Sequence, residues 1–183
     1  MNKWSTLVLA ELSESLEFMS DSDFLILVEK LKSSNRVVVV GVGRVLISLK
    51  AWVKRLNHLG IDIDYFGSET EKPVGEDDLV LVASSSGESI IPKEISAIAK
   101  KKGASVFYVG CNDQSSVAKA SDQMLILRGK SKLDSELQSK SKQPMSTLFE
   151  QQLFLLGDMI ALEIMNTKGI SEDDLKHEHA NLE

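Results

Sequence analysis

Four serines stand within six residues at Ser84-Ser85-Ser86-Gly87-Glu88-Ser89. The segment follows the apolar run Leu79-Val80-Leu81-Val82-Ala83 and opens a helical stretch with Pro92 in its first turn. It reads as a loop between a strand and a helix. Three needs of an oxyanion meet in such a loop. A helix N-terminus offers unpaired N–H groups and the positive end of its dipole. The hydroxyls of Ser84, Ser86 and Ser89 add donors without bulk. Gly87 lets the backbone turn tightly around the anion. A plainer reading is a turn with Ser89 as the helix N-cap, but that needs only one serine.

Three other places carry reactive groups. Gly41-Val42-Gly43-Arg44 suggests a dinucleotide-binding turn, yet Leu46 stands where the third glycine belongs, so the motif is weak. Asp62 and Asp64 lie at a plausible distance for a ribose carboxylate, as one such carboxylate commonly does by chance. Arg44 stands at a helix N-terminus, where a cation is unfavourable. It is either held there for an anionic ligand or simply solvated. Glu150, in Pro144-Met145-Ser146-Thr147-Leu148-Phe149-Glu150, also has two readings. Thr147-x-x-Glu150 matches a capping box, which the spacing favours. A general base is the alternative; it needs a carboxylate whose pKa is raised by partial burial, an environment Phe149 and Met145 could provide. His179 can act as acid or base near neutral pH, but it lies in the terminal stretch 177–183, where chains usually fray.

The elements that must position these residues follow from periodicity. Trp4, Leu7, Val8, Leu12, Leu16 and Met19 fall at helical spacing. A second helix carries Phe24, Leu27, Val28 and Leu31, with Asp21 or Asp23 as its cap. Val37-Val38-Val39-Val40 then marks a strand buried on both faces. Further strands are expected at 63–66, 79–83, 105–109 and 124–127. Helices run between them, one ending at Gly60 and another at Gly103. A polar stretch from Arg128 to Lys142 reads as a long loop, a common site element. A helix from about Thr147 to Lys168 follows, closed by Gly169, and a last short one runs toward His179. Strands alternating with helices imply an α/β three-layer sandwich, a five-stranded parallel sheet flanked by helices. One domain is expected over 1–183, with N-terminal helices at 2–33, an α/β core at 36–127, a loop at 128–145 and C-terminal helices at 147–179. Ligands bind beyond the carboxyl ends of such strands, at loops 41–46, 67–73, 84–89 and 110–116.

Composition narrows the function classes. The chain has 183 residues, enough for a substantial core. A net charge of −6 and a pI near 5.2 argue against a nucleic-acid surface. The single Cys111 fits a reducing compartment. His58, His177 and His179 make no zinc spacing with it. Glu11, Glu14 and Glu17 interrupt the N-terminal apolar residues, unlike a secretory signal. No run is long enough to span a membrane. A cytoplasmic protein is expected.

The motifs together resemble the sugar isomerase (SIS) domain family, whose fold is flavodoxin-like, and more closely the 6-phospho-3-hexuloisomerases. The resemblance spans nearly the whole chain. It rests on Gly41-x-Gly43-Arg44, Arg55-Leu56-x-His58-Leu59-Gly60 and Ser84-x-Ser86-Gly87-x-Ser89. Its most specific parts are Pro144-Met145-x-Thr147-x-Phe149-Glu150 and His179-Ala180-Asn181-Leu182-Glu183. The resemblance implies interconversion of arabino-3-hexulose 6-phosphate and fructose 6-phosphate, in the ribulose monophosphate route, with no cofactor or metal. It implies phosphate binding at Ser84, Ser86, Gly87 and Ser89, sugar contact at Gly43 and Arg44, and proton handling by Glu150 and His179. It also implies a homotetramer with sites near subunit contacts. Two departures fall on the expected sugar side: Val45-Leu46 replaces a usual Ser-Gly, and 67–73 differs from a Gly-Glu-Thr pattern before proline. A non-catalytic phosphosugar sensor is the competing function, favoured by Val45 and Leu46.

Overall fold

The structure, a computed structural model, describes residues 2–130 and 141–177. Five strands form one parallel sheet: β1 (Val37–Val40), β2 (Ile63–Tyr65), β3 (Leu79–Ser84), β4 (Ser105–Gly110) and β5 (Gln123–Ile126). Their order is β2-β1-β3-β4-β5, with Val37 of β1 opposite Ile63 on one side and Leu79 on the other. All four pairings are parallel. The expected sandwich, with the flavodoxin-like strand order, is therefore what the chain forms.

Alternation along the strands divides the core into two. Val37, Val39, Leu79, Leu81, Phe107 and Val109 point to one face. There they meet α2 (Asp21–Ser33), α3 (Arg44–His58) and α6 (Thr147–Lys168) through Leu27, Leu31, Leu49, Trp52, Phe149, Leu153 and Leu156. Val80, Val82, Val106 and Tyr108 point to the other face. They pack on α4 (Ile90–Lys101) and on α5 (Ser116–Ala120), a five-residue helix too short to show a period in the sequence. The first helix, α1 (Lys3–Leu16), lies against α6, and α7 (Glu172–His177) ends the described chain.

Several boundaries differ from expectation. The cap of α2 is Ser20, whose hydroxyl accepts the Asp23 N–H at 3.3 Å; Asp21 and Asp23 sit inside the first turn, where their charge favours the dipole. Strand β5 begins and ends one residue earlier than expected. Gly60, Gly103 and Gly169 all take positive φ behind their helices, as expected of left-handed closing residues. Of the 128–145 loop, 131–140 lie outside the described residues.

The docking of α6 on α3 decides where the site falls. A Cβ added at Gly157 would lie 2.2 Å from Trp52 Cδ1, so only glycine lets the helices approach this closely. Trp52 Nε1 donates to Leu153 O at 2.7 Å and Ser48 Oγ donates to Glu150 O at 3.0 Å. These two buried bonds set the register of the helices. They carry the first turn of α6 to the first turn of α3.

Candidate functional site

The chain leaves β1 toward β2 on one side and then returns to β3 on the other. The loops after β1 and β3 thus diverge and leave a crevice at the reversal of strand order, where such sheets bind ligands. A cavity of about 810 Å³ opens there. Gly43, Arg44 and Val45 line it from β1 and α3, and Ser84, Ser85, Ser86 and Ser89 from the serine loop. Pro144, Met145, Ser146, Thr147 and Glu150 close it from the entry to α6.

The serine loop is held from below. Tyr108 Oη donates to Ser84 O at 2.8 Å, and burial pushes the phenol pKa upward, which keeps it a donor. Gly87 has φ of +65°, and its N–H donates to Ser84 Oγ at 3.1 Å. A Cβ there would lie 2.1 Å from Ser115 Oγ, so both conformation and space require glycine. Ser86 Oγ accepts the Glu88 N–H at 3.2 Å. Ser85 lines the cavity as well, but its hydroxyl is engaged in donating to Lys130 O at 3.1 Å. The loop's one acid is turned to α5: Glu88 accepts from Ser116 N–H at 2.7 Å and Ser116 Oγ at 2.8 Å. These bonds, the backbone one foremost, hold its carboxyl below the ordinary value of 4.5. Ser89 occupies the N-cap position of α4, yet its side chain makes no capping bond. The plain N-cap reading of this loop holds for the position of Ser89 but not for a capping bond from its hydroxyl. Ser89, at the N-terminus of α4, lines the cavity that an anion would enter.

At the opposite wall stands Glu150, with 8% of its surface exposed. One carboxylate oxygen accepts from Ser146 Oγ at 2.9 Å and the other pairs with Arg44 Nε. The capping box is not formed. The N-cap is Ser146, Thr147 is already helical, and its hydroxyl donates to Pro144 O at 2.6 Å. Glu150 reaches into the cavity instead of back to a backbone N–H. Arg44 is neither merely solvated nor waiting alone for an anion: Glu150 balances its charge, and its side chain keeps 66% exposure. Met145 adopts φ of +53°, a left-handed conformation a methionine rarely takes, at the cavity rim.

Other expectations fall elsewhere. None of residues 67–73 lines this cavity; Thr70, Glu71 and Lys72 line a separate one of about 280 Å³ at the β2 edge. Asp62 and Asp64 belong to that second cavity, and Asp64 accepts from Thr70 Oγ1 at 2.9 Å, so no ribose carboxylate faces Gly43. Loop 110–116 supports the serine loop through Cys111 N–H to Ser85 O at 3.0 Å and is not among the cavity's lining. Val45 and Leu46 are helical, and Val45 is packed into the core, so the departure there falls in the first turn of α3 and not in a free loop. His179 lies outside the described residues. Ser146 was not anticipated; its only signal is a position four before Glu150, one helical turn away. Among the described residues no cluster of His, Cys, Asp or Glu could hold a metal ion, and no helix is long and apolar enough to cross a membrane.

A doubly wound sheet with a serine-rich loop at its reversal point, facing a carboxylate across a sugar-sized cavity, defines the class of SIS-type phosphosugar proteins. No family model matches the chain. It is 33% identical over 176 residues to the 3-hexulose-6-phosphate isomerase of Bacillus subtilis, covering 96% of this chain and 95% of that one. It is 29% identical over 178 residues to the 3-hexulose-6-phosphate isomerase of Mycobacterium gastri, covering 97% and 89%. The fold also matches, with a TM-score of 0.85 over 100% of both chains, a Methanococcus jannaschii protein whose crystal structure infers a molecular function of 3-hexulose-6-phosphate isomerase; the two are 23% identical. The chain belongs to the sugar isomerase family that includes these 3-hexulose-6-phosphate isomerases.

Proposed function

We propose that this phosphosugar isomerase interconverts arabino-3-hexulose 6-phosphate and fructose 6-phosphate, as in the ribulose monophosphate route. The observation that carries the reading is the single cavity with the serine loop on one wall and the Glu150–Arg44 pair on another. The phosphate binds Ser84, Ser86, Gly87 and Ser89 at the α4 N-terminus. Gly43 and Arg44 contact the sugar. Glu150 removes the proton from C2, which gives a 2,3-enediol. It then returns a proton to C3 on the same face, and the carbonyl has moved from C3 to C2. Arg44 pairs with the carboxylate and faces the oxygens on which charge develops. His179 moves the proton between those oxygens.

The same reading makes the chain one cytoplasmic domain that assembles as a homotetramer with its sites near subunit contacts. The packing of Val45 into the core favours the enzyme over the non-catalytic sensor, because this departure leaves Glu150 and its partners in place. A coupled assay that follows fructose 6-phosphate formed from the 3-hexulose phosphate tests the proposal. Absence of turnover with intact phosphosugar binding would establish the sensor instead.

A further inference from the structure

Helix α1 contributes no residue to the cavity lining. It nevertheless grips the segment that leads into α6. Glu11 accepts three hydrogen bonds: from Ser141 Oγ at 2.7 Å, from the Lys142 N–H at 2.8 Å and from Gln143 Nε2 at 3.2 Å. One turn further along, Glu14 pairs with Arg128 at 3.7 Å, and the Arg128 guanidinium lies 3.1 Å over the Phe18 ring. Glu11 and Glu14 share one face of α1 and Phe18 lies just beyond its C-cap, so this end of the helix holds both ends of the stretch between 128 and 143. Lys130 Nζ donates to Ser141 O at 3.2 Å and ties the two ends to each other.

Gln143 is buried and immediately precedes the turn Pro144-Met145-Ser146. Met145 in that turn holds its left-handed φ between two fixed points. One is Gln143, bound to Glu11; the other is Ser146, bound to Glu150. A non-glycine residue stays in such a conformation only when its neighbours over-determine it. Release of Gln143 removes one of the two constraints. The turn then relaxes, and the Ser146 hydroxyl loses its aim at Glu150.

We infer that Glu11 is a positioning residue for the isomerase reaction: it fixes the turn that orients Ser146, and through it Glu150, at the cavity wall. The inference rests on the proposed role of Glu150. The serine loop is linked to this network only at Ser85, through Lys130 and Ser141, and keeps its own anchors in Tyr108 and the Cys111 N–H, so the effect of Glu11 falls mainly on turnover and little on phosphate binding.

The test is steady-state isomerisation by Glu11→Ala and Glu11→Gln, with inorganic phosphate as a competing ligand. For Glu11→Ala, kcat falls about tenfold or more, while KM and the inhibition constant of inorganic phosphate stay within about twofold. Ser141→Ala added to Glu11→Ala lowers kcat little further, because both act through one network. If Glu11→Ala does not fold, Glu11→Gln keeps the volume and one acceptor oxygen and shows the same split at smaller size. A kcat within twofold of wild type, measured well below the melting temperature, overturns the inference. So does an equal loss of phosphate affinity, which would mean general loosening. Glu150→Gln assayed in parallel separates the two ideas: if it stays active the site reading fails, whereas an inactive Glu150→Gln beside an unimpaired Glu11→Ala removes only the positioning role.

Discussion

Replacement of Glu150 by glutamine isolates chemistry from structure at this site. The amide keeps the shape of the side chain and loses its charge and basicity. What it costs in stability can be worked from its two partners. Ser146 Oγ is a hydroxyl, able to accept as well as donate, so it can re-pair with the amide. Arg44 keeps 66% side-chain exposure and is rehydrated once unpaired. A half-solvated ion pair of this kind contributes at most about 1 kcal/mol. The melting temperature of Glu150→Gln therefore falls by no more than about 2–4 °C. Turnover behaves differently. A positioned acid or base contributes about 10²- to 10⁴-fold, and glutamine can neither remove the C2 proton nor return it to C3. The coupled fructose 6-phosphate assay should show kcat reduced by about 10³-fold or more, with KM within a few fold. A kcat within about fivefold of wild type would refute the reasoning and leave Glu150 as an anchor for Arg44.

Three further outcomes are expected. Ser86→Ala weakens phosphosugar binding by about 1–2 kcal/mol through a lost charge-assisted bond, and calorimetry with an unchanged dissociation constant would remove the loop from the site. Gly157→Ala drives a methyl into Trp52, whose Cδ1 lies 2.2 Å from the added Cβ. Overpacking costs about 1–3 kcal/mol, and thermal melting checks it; a variant as stable as wild type would show that the α3–α6 contact can give way. Glu88 titrates below its ordinary 4.5 in the folded chain because Ser116 donates two bonds to it. A depressed carboxylate stabilises the fold above the unfolded value and loses that contribution as pH falls through the folded one. Melting curves below pH 4.5 should therefore be less pH-sensitive in Glu88→Gln than in wild type, and parallel curves would dismiss the Ser116 contact.

Much of the fold was legible because its signals are local. Four consecutive valines leave little choice but a doubly buried strand, and glycines at 60, 103 and 169 stop helices by their freedom at positive φ. The serine loop was legible for the same reason: its hydroxyls, its glycine and the following helix are contiguous. Helix α5 was not, because five residues cannot display a period. The cap of α2 is not decided locally, since Ser20, Asp21 and Asp23 are all good caps and only backbone geometry chooses Ser20 over the expected Asp21 or Asp23. Loop 67–73 looked like a site element from its place after a strand, yet it belongs to the β2 edge.

Glu150 marks the boundary between the two kinds of information. Its sequence surroundings offered a capping box and a general base, and the capping box had the better spacing. The choice depended on Arg44, which is 106 residues away in the chain and touches Glu150 only because Ser48 and Trp52 seat α6 on α3. The amino-acid sequence by itself determined the strands, the helices and an anion-binding loop, since each arises from neighbours along the chain. Only the tertiary structure decided which carboxylate faces that loop. A side chain's partners on a neighbouring helix are set by how close the two helices can pack, and here that distance is settled by a glycine against a tryptophan.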